Sequence, residues 1–280
     1  SSTPVSSSCT TAATATPAPS PSPAPSPTAV ATAPRRNVVL IGDSTTFGTP
    51  EPRPGVKAVQ SPYNPAASLE ALLAHVEPTP ANGGTPWRGA RVHNLGVGAS
   101  TTELWLQDPP AFCGTALEGF AVIKAACRTK KPWISAAGSA IGDVPIDAAI
   151  VDLGLNDLLI TQDPEATVAR LARIRKALAP VPVIFFPPIA PPNGPRGDWP
   201  RRVRAAMIKH KLFDERQYPA YLPTFDDLHL TDGGYAAKAA LWLDALRRLP
   251  CVETPDAPPW SRSRCCSRFS RCADGRAPRA

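Results

Sequence analysis

The chain has 280 residues, 36 of them proline, and a formal net charge of +7 at pH 7. That charge is modest and comes with no basic–aromatic interleaving or recognition motif, so nucleic acid is not an expected partner. No apolar run approaches the roughly 18–20 residues of a membrane span, and four scattered histidines without any C-x-x-C pair speak against a zinc site.

Ser1–Pro34 is uncharged and built of small residues, hydroxyls and prolines. It cannot bury enough apolar surface to offset its ordering entropy, and 1–34 reads as a disordered linker or stalk. The chain begins at Ser1 without Met and shows no signal peptide, so a processed or trimmed form is expected. At the other end, Cys251–Ala280 carries six Arg against Glu253, Asp256 and Asp274 and has no periodicity. That stretch, 251–280, reads as a disordered Arg/Cys-rich tail. Residues 35–250 between them suit one α/β domain.

Within that domain, Val38–Ile41 is an unbroken run of β-branched and aliphatic residues, as in a strand buried on both faces. Gly42 permits a tight exit, and Asp43-Ser44-Thr45-Thr46 offers a helix start, so Ser44 falls where open α/β sheets place their chemistry. A proline-rich loop, Thr49–Pro65, leads to a helix at Ala66–Val76. Gly83-Gly84 marks a turn before a second strand at Ala90–Leu95. The glycine-rich turn Gly96–Thr101 ends on Thr101 where the dinucleotide fingerprint needs a glycine or alanine, and no acidic ribose partner follows. It can instead present backbone N–H groups beside Ser44. Thr101–Gln107 reads as a short helix and Asp108–Asp143 as a long irregular, functional segment. Within it, Cys113 and Cys127 are placed to bridge, and its Phe112 and Trp133, with Trp105 of the preceding helix, are candidates for an acyl groove.

Ile146–Leu153 is the clearest buried strand and runs into Gly154-Leu155-Asn156-Asp157. A helix follows at Pro164–Leu178, a strand at Val181–Phe186, and a basic helix near Trp199–Phe213. Tyr221–Phe225 is a candidate fifth strand, and Leu230–Leu249 closes the domain as a helix with Thr231 as its cap. Alternation of strands and helices predicts a mostly parallel sheet covered on both sides, a doubly wound three-layer sandwich.

Polar groups gather at the strand ends: Ser44, Gly98 and Ala99, Asn156, and the Asp226–His229 pair. An Asp three residues before a His can hold the imidazole through Nδ1 and leave the other nitrogen to take a serine proton. Backbone N–H groups of Ser44 and of Gly98 or Ala99, with the Asn156 amide, would form an oxyanion hole. Taken together, Gly42-Asp43-Ser44, Asn94–Thr102, Gly154-x-Asn156-Asp157 and Asp226-x-x-His229 resemble the four motif blocks of the SGNH hydrolases, the GDSL esterase/lipase superfamily. The resemblance spans Asn37–Leu249. It implies a flavodoxin-like three-layer α/β/α sandwich with a mostly parallel five-stranded sheet, and ester hydrolysis through Ser44, Asp226 and His229 without metal or organic cofactor.

Ala99 stands where the family's second block usually carries glycine, so the N–H donor depends on whether the turn takes a positive φ. No G-x-S-x-G elbow occurs, which argues against the α/β-hydrolase fold. The expected substrates are short-chain or O-acetyl esters, including acylated carbohydrate. The alternatives are a lipase, lysophospholipase or polyester hydrolase of the same family, and a non-catalytic binding module on this fold. The hydroxyl- and proline-rich stalk and the seven cysteines point to a secreted or cell-surface protein.

Overall fold

The computed structural model describes residues 35–52, 60–76, 87–108, 112–191, 194–213, 218–219 and 221–249. The expected stalk 1–34 and tail 251–280, with Cys9, Cys251, Cys265, Cys266 and Cys272, lie outside the described residues, as does the Gly83-Gly84 turn. The apolar run at Val38–Ile41 becomes the middle of strand β1 (Asn37–Gly42), every residue of which is buried. β1 pairs in parallel with β2 (Arg91–Asn94) on one side and β3 (Ala148–Asp152) on the other, and β3 pairs in parallel with β4 (Val183–Phe185). The resulting order is β2-β1-β3-β4.

Val39, Ile41, Ala149, Val151 and Phe185 face one hydrophobic core. Val38, Leu40, Ala148, Ile150 and Ile184 face the other. Both faces are covered, which is why the central strands read as continuous apolar runs rather than alternating ones. The first core is closed by α3 (Thr102–Leu106), α4 (Ala121–Thr129), α5 (Trp133–Ala140), α6 (Pro164–Leu178) and α7 (Trp199–Lys209), through Trp105, Ile123, Trp133, Leu171 and Val203 among others. The second is closed by α2 (Pro65–Ala74) and α8 (Asp232–Arg248), through Leu69, Leu73, Tyr235, Trp242 and Leu246. Burying each such aliphatic side chain is worth about 1.5–3 kcal/mol. The architecture is a parallel sheet between two helical layers. Among the described residues no helix is long and apolar enough to cross a membrane.

Two expectations fail here. Among the described residues the sheet has four strands, not five: Tyr221–Phe225 forms only an isolated antiparallel bridge, Thr224 to Leu230. Pro223 deprives that segment of a ladder donor, and Tyr221 is exposed. The second failure is Asp108–Asp143, which is not irregular: its described part holds a 3-10 turn (Ala116–Gly119), α4 and α5. Pro132 lies just ahead of α5, where it starts a helix rather than breaking one. Val122, Ile123, Ala125 and Ala126 give α4 a buried face. Cys113 is joined to Cys127 of α4 in a disulfide, the pairing the sequence allowed.

Candidate active site

Ser44 opens α1 (Ser44–Phe47), a single helical turn set directly on the carboxyl end of β1. The Asp43 carboxylate caps that turn, accepting from Thr45 N–H and Thr45 Oγ1 at 2.9 Å each. Two glycines let the turn lie this close to the sheet. A Cβ on Gly42 would fall 2.0 Å from Thr46 Oγ1, and one on Gly96 would fall 2.4 Å from Phe47 N. The chain after β2 is stitched to the same point, because Val97 N–H and Ser100 Oγ both donate to the Gly42 carbonyl at 3.0 Å.

Beneath Ser44 lies a buried ionic cluster that the sequence did not announce. Lys238 of α8 pairs with Asp152 at the end of β3. Its Nζ also donates to Thr45 Oγ1 at 2.9 Å and Thr45 O at 3.3 Å. Thr46 Oγ1 donates to Asp152 at 2.6 Å. Lys238 further packs over the rings of Phe186 and Trp242. Asp43 completes the cluster: burial and the Asp152 charge push its pKa up to about 6, against the lowering pull of Lys238 and Thr45.

The short loop closed by the Thr224–Leu230 bridge presents Asp226 and His229. Its base is tied by Phe225 N–H donating to His229 O and Thr231 N–H to Pro223 O, both at 3.0 Å. Asp226 accepts from the backbone N–H groups of Leu228 (3.1 Å) and His229 (2.6 Å), and its other oxygen lies 2.7 Å from His229 Nδ1. Partial burial raises the Asp226 pKa, but these bonds from His229 and Leu228 outweigh it and hold the carboxyl below its ordinary value. An ionised carboxylate only accepts, so Nδ1 carries the proton and Nε2 is left as an acceptor. His229 Nε2 lies 3.1 Å from Ser44 Oγ. Phe225 stacks on the imidazole, with ring centroids 5.9 Å apart.

Asn156 follows β3 at the start of a 3-10 turn and is 3% exposed. Its Nδ2 lies 3.4 Å from Asp43 Oδ2 and 3.4 Å from the Ser100 carbonyl, and its Oδ1 accepts from Arg196 at 2.8 Å. The neighbouring Asp157 is fully buried and accepts from Thr102 N–H at 3.0 Å, from the Thr102 hydroxyl and from Thr167 Oγ1. Burial raises its pKa despite the lowering effect of these bonds and of Arg170. Asp157 thereby ties the Asn156 turn to α3 and α6. Gly154, with φ 113°, supplies the bend before it, and its carbonyl accepts from the buried Trp199 indole at 2.9 Å.

Gly98 and Ala99 are exposed at the tip of the turn after β2. Ala99 has φ 57°, a left-handed conformation that costs an L-residue about 1–2 kcal/mol and glycine nothing. Ala99 therefore holds the glycine conformation without being glycine. Neither N–H, nor that of Ser44, donates a hydrogen bond to any of the described residues.

Ser44, Asp226, His229 and Asn156 thus converge at the carboxyl edge of the sheet. Asp227, the second acid of that loop, is exposed with φ 60° and stays outside the relay. The aromatic groove does not form as expected: Trp105 and Trp133 are fully buried in the core, edge to face at 5.8 Å, with Phe112 packed on Trp133. Among the described residues, Cys113, Glu118 and Cys127 cluster with metal-like spacing, but both sulfurs are committed to the disulfide. Lys238 and Arg196 are the residues sequence reasoning missed. Lys238 sits on the α8 face that packs against the sheet, among Tyr235, Ala239 and Trp242, and a charge on a buried stripe was the available signal.

No family model matches the chain, and no curated protein sequence matches it. Solved structures do. The aryl esterase of M. smegmatis superposes with a TM-score of 0.50 at 17% identity, covering 76% of this chain and 99% of that one. A carbohydrate acetylesterase from Sinorhizobium meliloti gives 0.49 at 18% identity, over 76% and 98% of the two chains. A catalytic mutant of an acetylxylan esterase from Geobacillus stearothermophilus gives 0.45 at 18%, over 78% and 97%.

Proposed function

We propose that this chain, which has the fold of the SGNH hydrolases, is a serine esterase that cleaves carboxylic esters through an acyl-enzyme on Ser44. The supporting observation is the continuous relay from Ser44 Oγ to His229 Nε2 at 3.1 Å and from His229 Nδ1 to Asp226 at 2.7 Å. As Ser44 Oγ attacks the ester carbonyl, His229 takes its proton, and Asp226 stabilises the imidazolium. The tetrahedral oxyanion is held by the Ser44 N–H, an N–H of Gly98 or Ala99, and the Asn156 amide. His229 then returns the proton to the leaving alkoxide. Water, deprotonated by the same imidazole, releases the acid and restores Ser44.

Short acyl groups are the favoured substrates, O-acetyl groups on carbohydrate among them. The aromatic residues a long acyl groove would need, Trp105 and Trp133, are spent on the core. The Cys113–Cys127 disulfide supports export to an oxidising compartment, secreted or at the cell surface. The test is hydrolysis of p-nitrophenyl esters from C2 to C12 by the wild type and Ser44→Ala. The wild-type rate is expected to fall with chain length, and Ser44→Ala to lose at least about 10⁴-fold on every ester with unchanged circular dichroism. Undiminished turnover in the variant removes Ser44 as nucleophile, and a rate rising toward C12 transfers the enzyme to the lipases.

A further inference from the structure

The Asn156 amide is held from behind. A guanidinium carries only donors, so the 2.8 Å contact from Arg196 must fall on the amide oxygen. That contact fixes which way the amide faces: Oδ1 is turned to Arg196, and Nδ2 to Ser100 and to Asp43, the residue before Ser44. Neither of those Nδ2 contacts is short, so Arg196 makes the tightest of the hydrogen bonds that orient this group.

Arg196 is itself carried by a built turn. Gly194 N–H donates to Pro191 O, Gly197 N–H to Gly194 O at 2.9 Å, and Trp199 N–H to Arg196 O, with Gly197 at φ 54°. The same turn lies against the loop that presents His229, since a Cβ on Gly194 would fall 2.6 Å from Asp227 O. One segment therefore touches both halves of the site. Arg196 Nε is buried and meets no partner among the described residues, a cost borne by a side chain that the sheet and cores do not need.

We propose that Arg196 is a positioning residue, which acts through Asn156. It locks the amide with Nδ2 toward the reacting carbonyl, and its positive charge on Oδ1 polarises the amide so that the N–H donates more strongly to the oxyanion. This rests on the reading of Asn156 as an oxyanion donor. Because that interaction tightens as negative charge develops, losing Arg196 lowers kcat and leaves KM nearly unchanged.

The test is a double-mutant cycle on p-nitrophenyl acetate with Arg196→Met, which keeps the aliphatic stem, Asn156→Ala and the double variant. Thermal melting of each reports whether the fold is kept. Asn156→Ala is expected to lose on the order of 10²–10³ in kcat, and Arg196→Met roughly 10–100-fold, the size of a charge-assisted hydrogen bond. The double variant should be no slower than Asn156→Ala alone, because the two residues act as one unit. Arg196→Lys, which retains a donor and a charge, should recover part of the loss, and it carries the test if Arg196→Met does not fold. Additive losses, or a raised KM with kcat kept, overturn the positioning role. If Asn156→Ala is impaired while Arg196→Met and Arg196→Lys keep full kcat, only this inference falls. If Asn156→Ala itself keeps full kcat, the oxyanion reading falls with it, while the Ser44 relay is judged separately by Ser44→Ala.

Discussion

His229 is set by short-range chemistry: four residues of one loop, Phe225 to Leu228, supply its stacking partner, its carboxylate and the backbone donor that steadies that carboxylate. Only Ser44 comes from afar, 185 residues away. Because Nε2 must be unprotonated to accept the serine proton, activity should fall on the acid side. A pH–rate profile of kcat/KM measures this, and a rate that does not fall in acid would contradict the general-base role. Asp43 bears on stability instead. Its folded-state pKa of about 6 exceeds the ordinary 3.8, so between those values the folded chain keeps a proton that the unfolded chain releases. Stability from this group is whole below about pH 4 and declines as pH rises through about 6. Asp43→Asn lacks that slope, and its melting temperature should gain on the wild type between pH 4 and 7. A constant difference would mean Asp43 is ionised throughout. The motif residues were legible because each stands in a short, ordered sequence context. Lys238 and Arg196 were not, since a lysine on a helix and an arginine in a Gly/Pro turn look like solvent-facing charge until the fold buries the one and turns the other onto Asn156.

At the level of elements, α1 sits low on the sheet because Gly42 and Gly96 present no Cβ to it. Gly96→Ala would drive a methyl into the backbone of Phe47 and lift the turn that carries Ser44. The expected cost is about 1–3 kcal/mol, read as a lowered melting temperature, together with a fall in kcat as Ser44 leaves His229. An unchanged kcat would show that α1 tolerates displacement. The central strands were read correctly from their apolar runs, but the fifth was not. Tyr221–Phe225 has strand-like residues, yet its internal proline leaves only the Thr224–Leu230 bridge, enough to pin a loop. α4 and α5 were missed for the opposite reason. The glycines and prolines around them suggested irregular chain, whereas the helices bury Ile123, Ala126, Trp133 and Ala137 against the first core.

Across the whole molecule, the strand order β2-β1-β3-β4 sends the chain to one side of β1 and then back to the other. The crevice where the direction reverses lies between β1 and β3, and doubly wound sheets bind ligands there. Ser44 leaves β1 and Asn156 follows β3, so the topology alone brings the Ser44 hydroxyl and the Asn156 amide to one edge, and the loop before α8 brings His229 to Ser44. The measurement that bears most directly on this convergence is labelling by a fluorophosphonate probe, with the adduct located by mass spectrometry of the digested protein. A single adduct on Ser44, formed at a rate that collapses in His229→Ala, is the expected result; no adduct, or one on another serine, would contradict it.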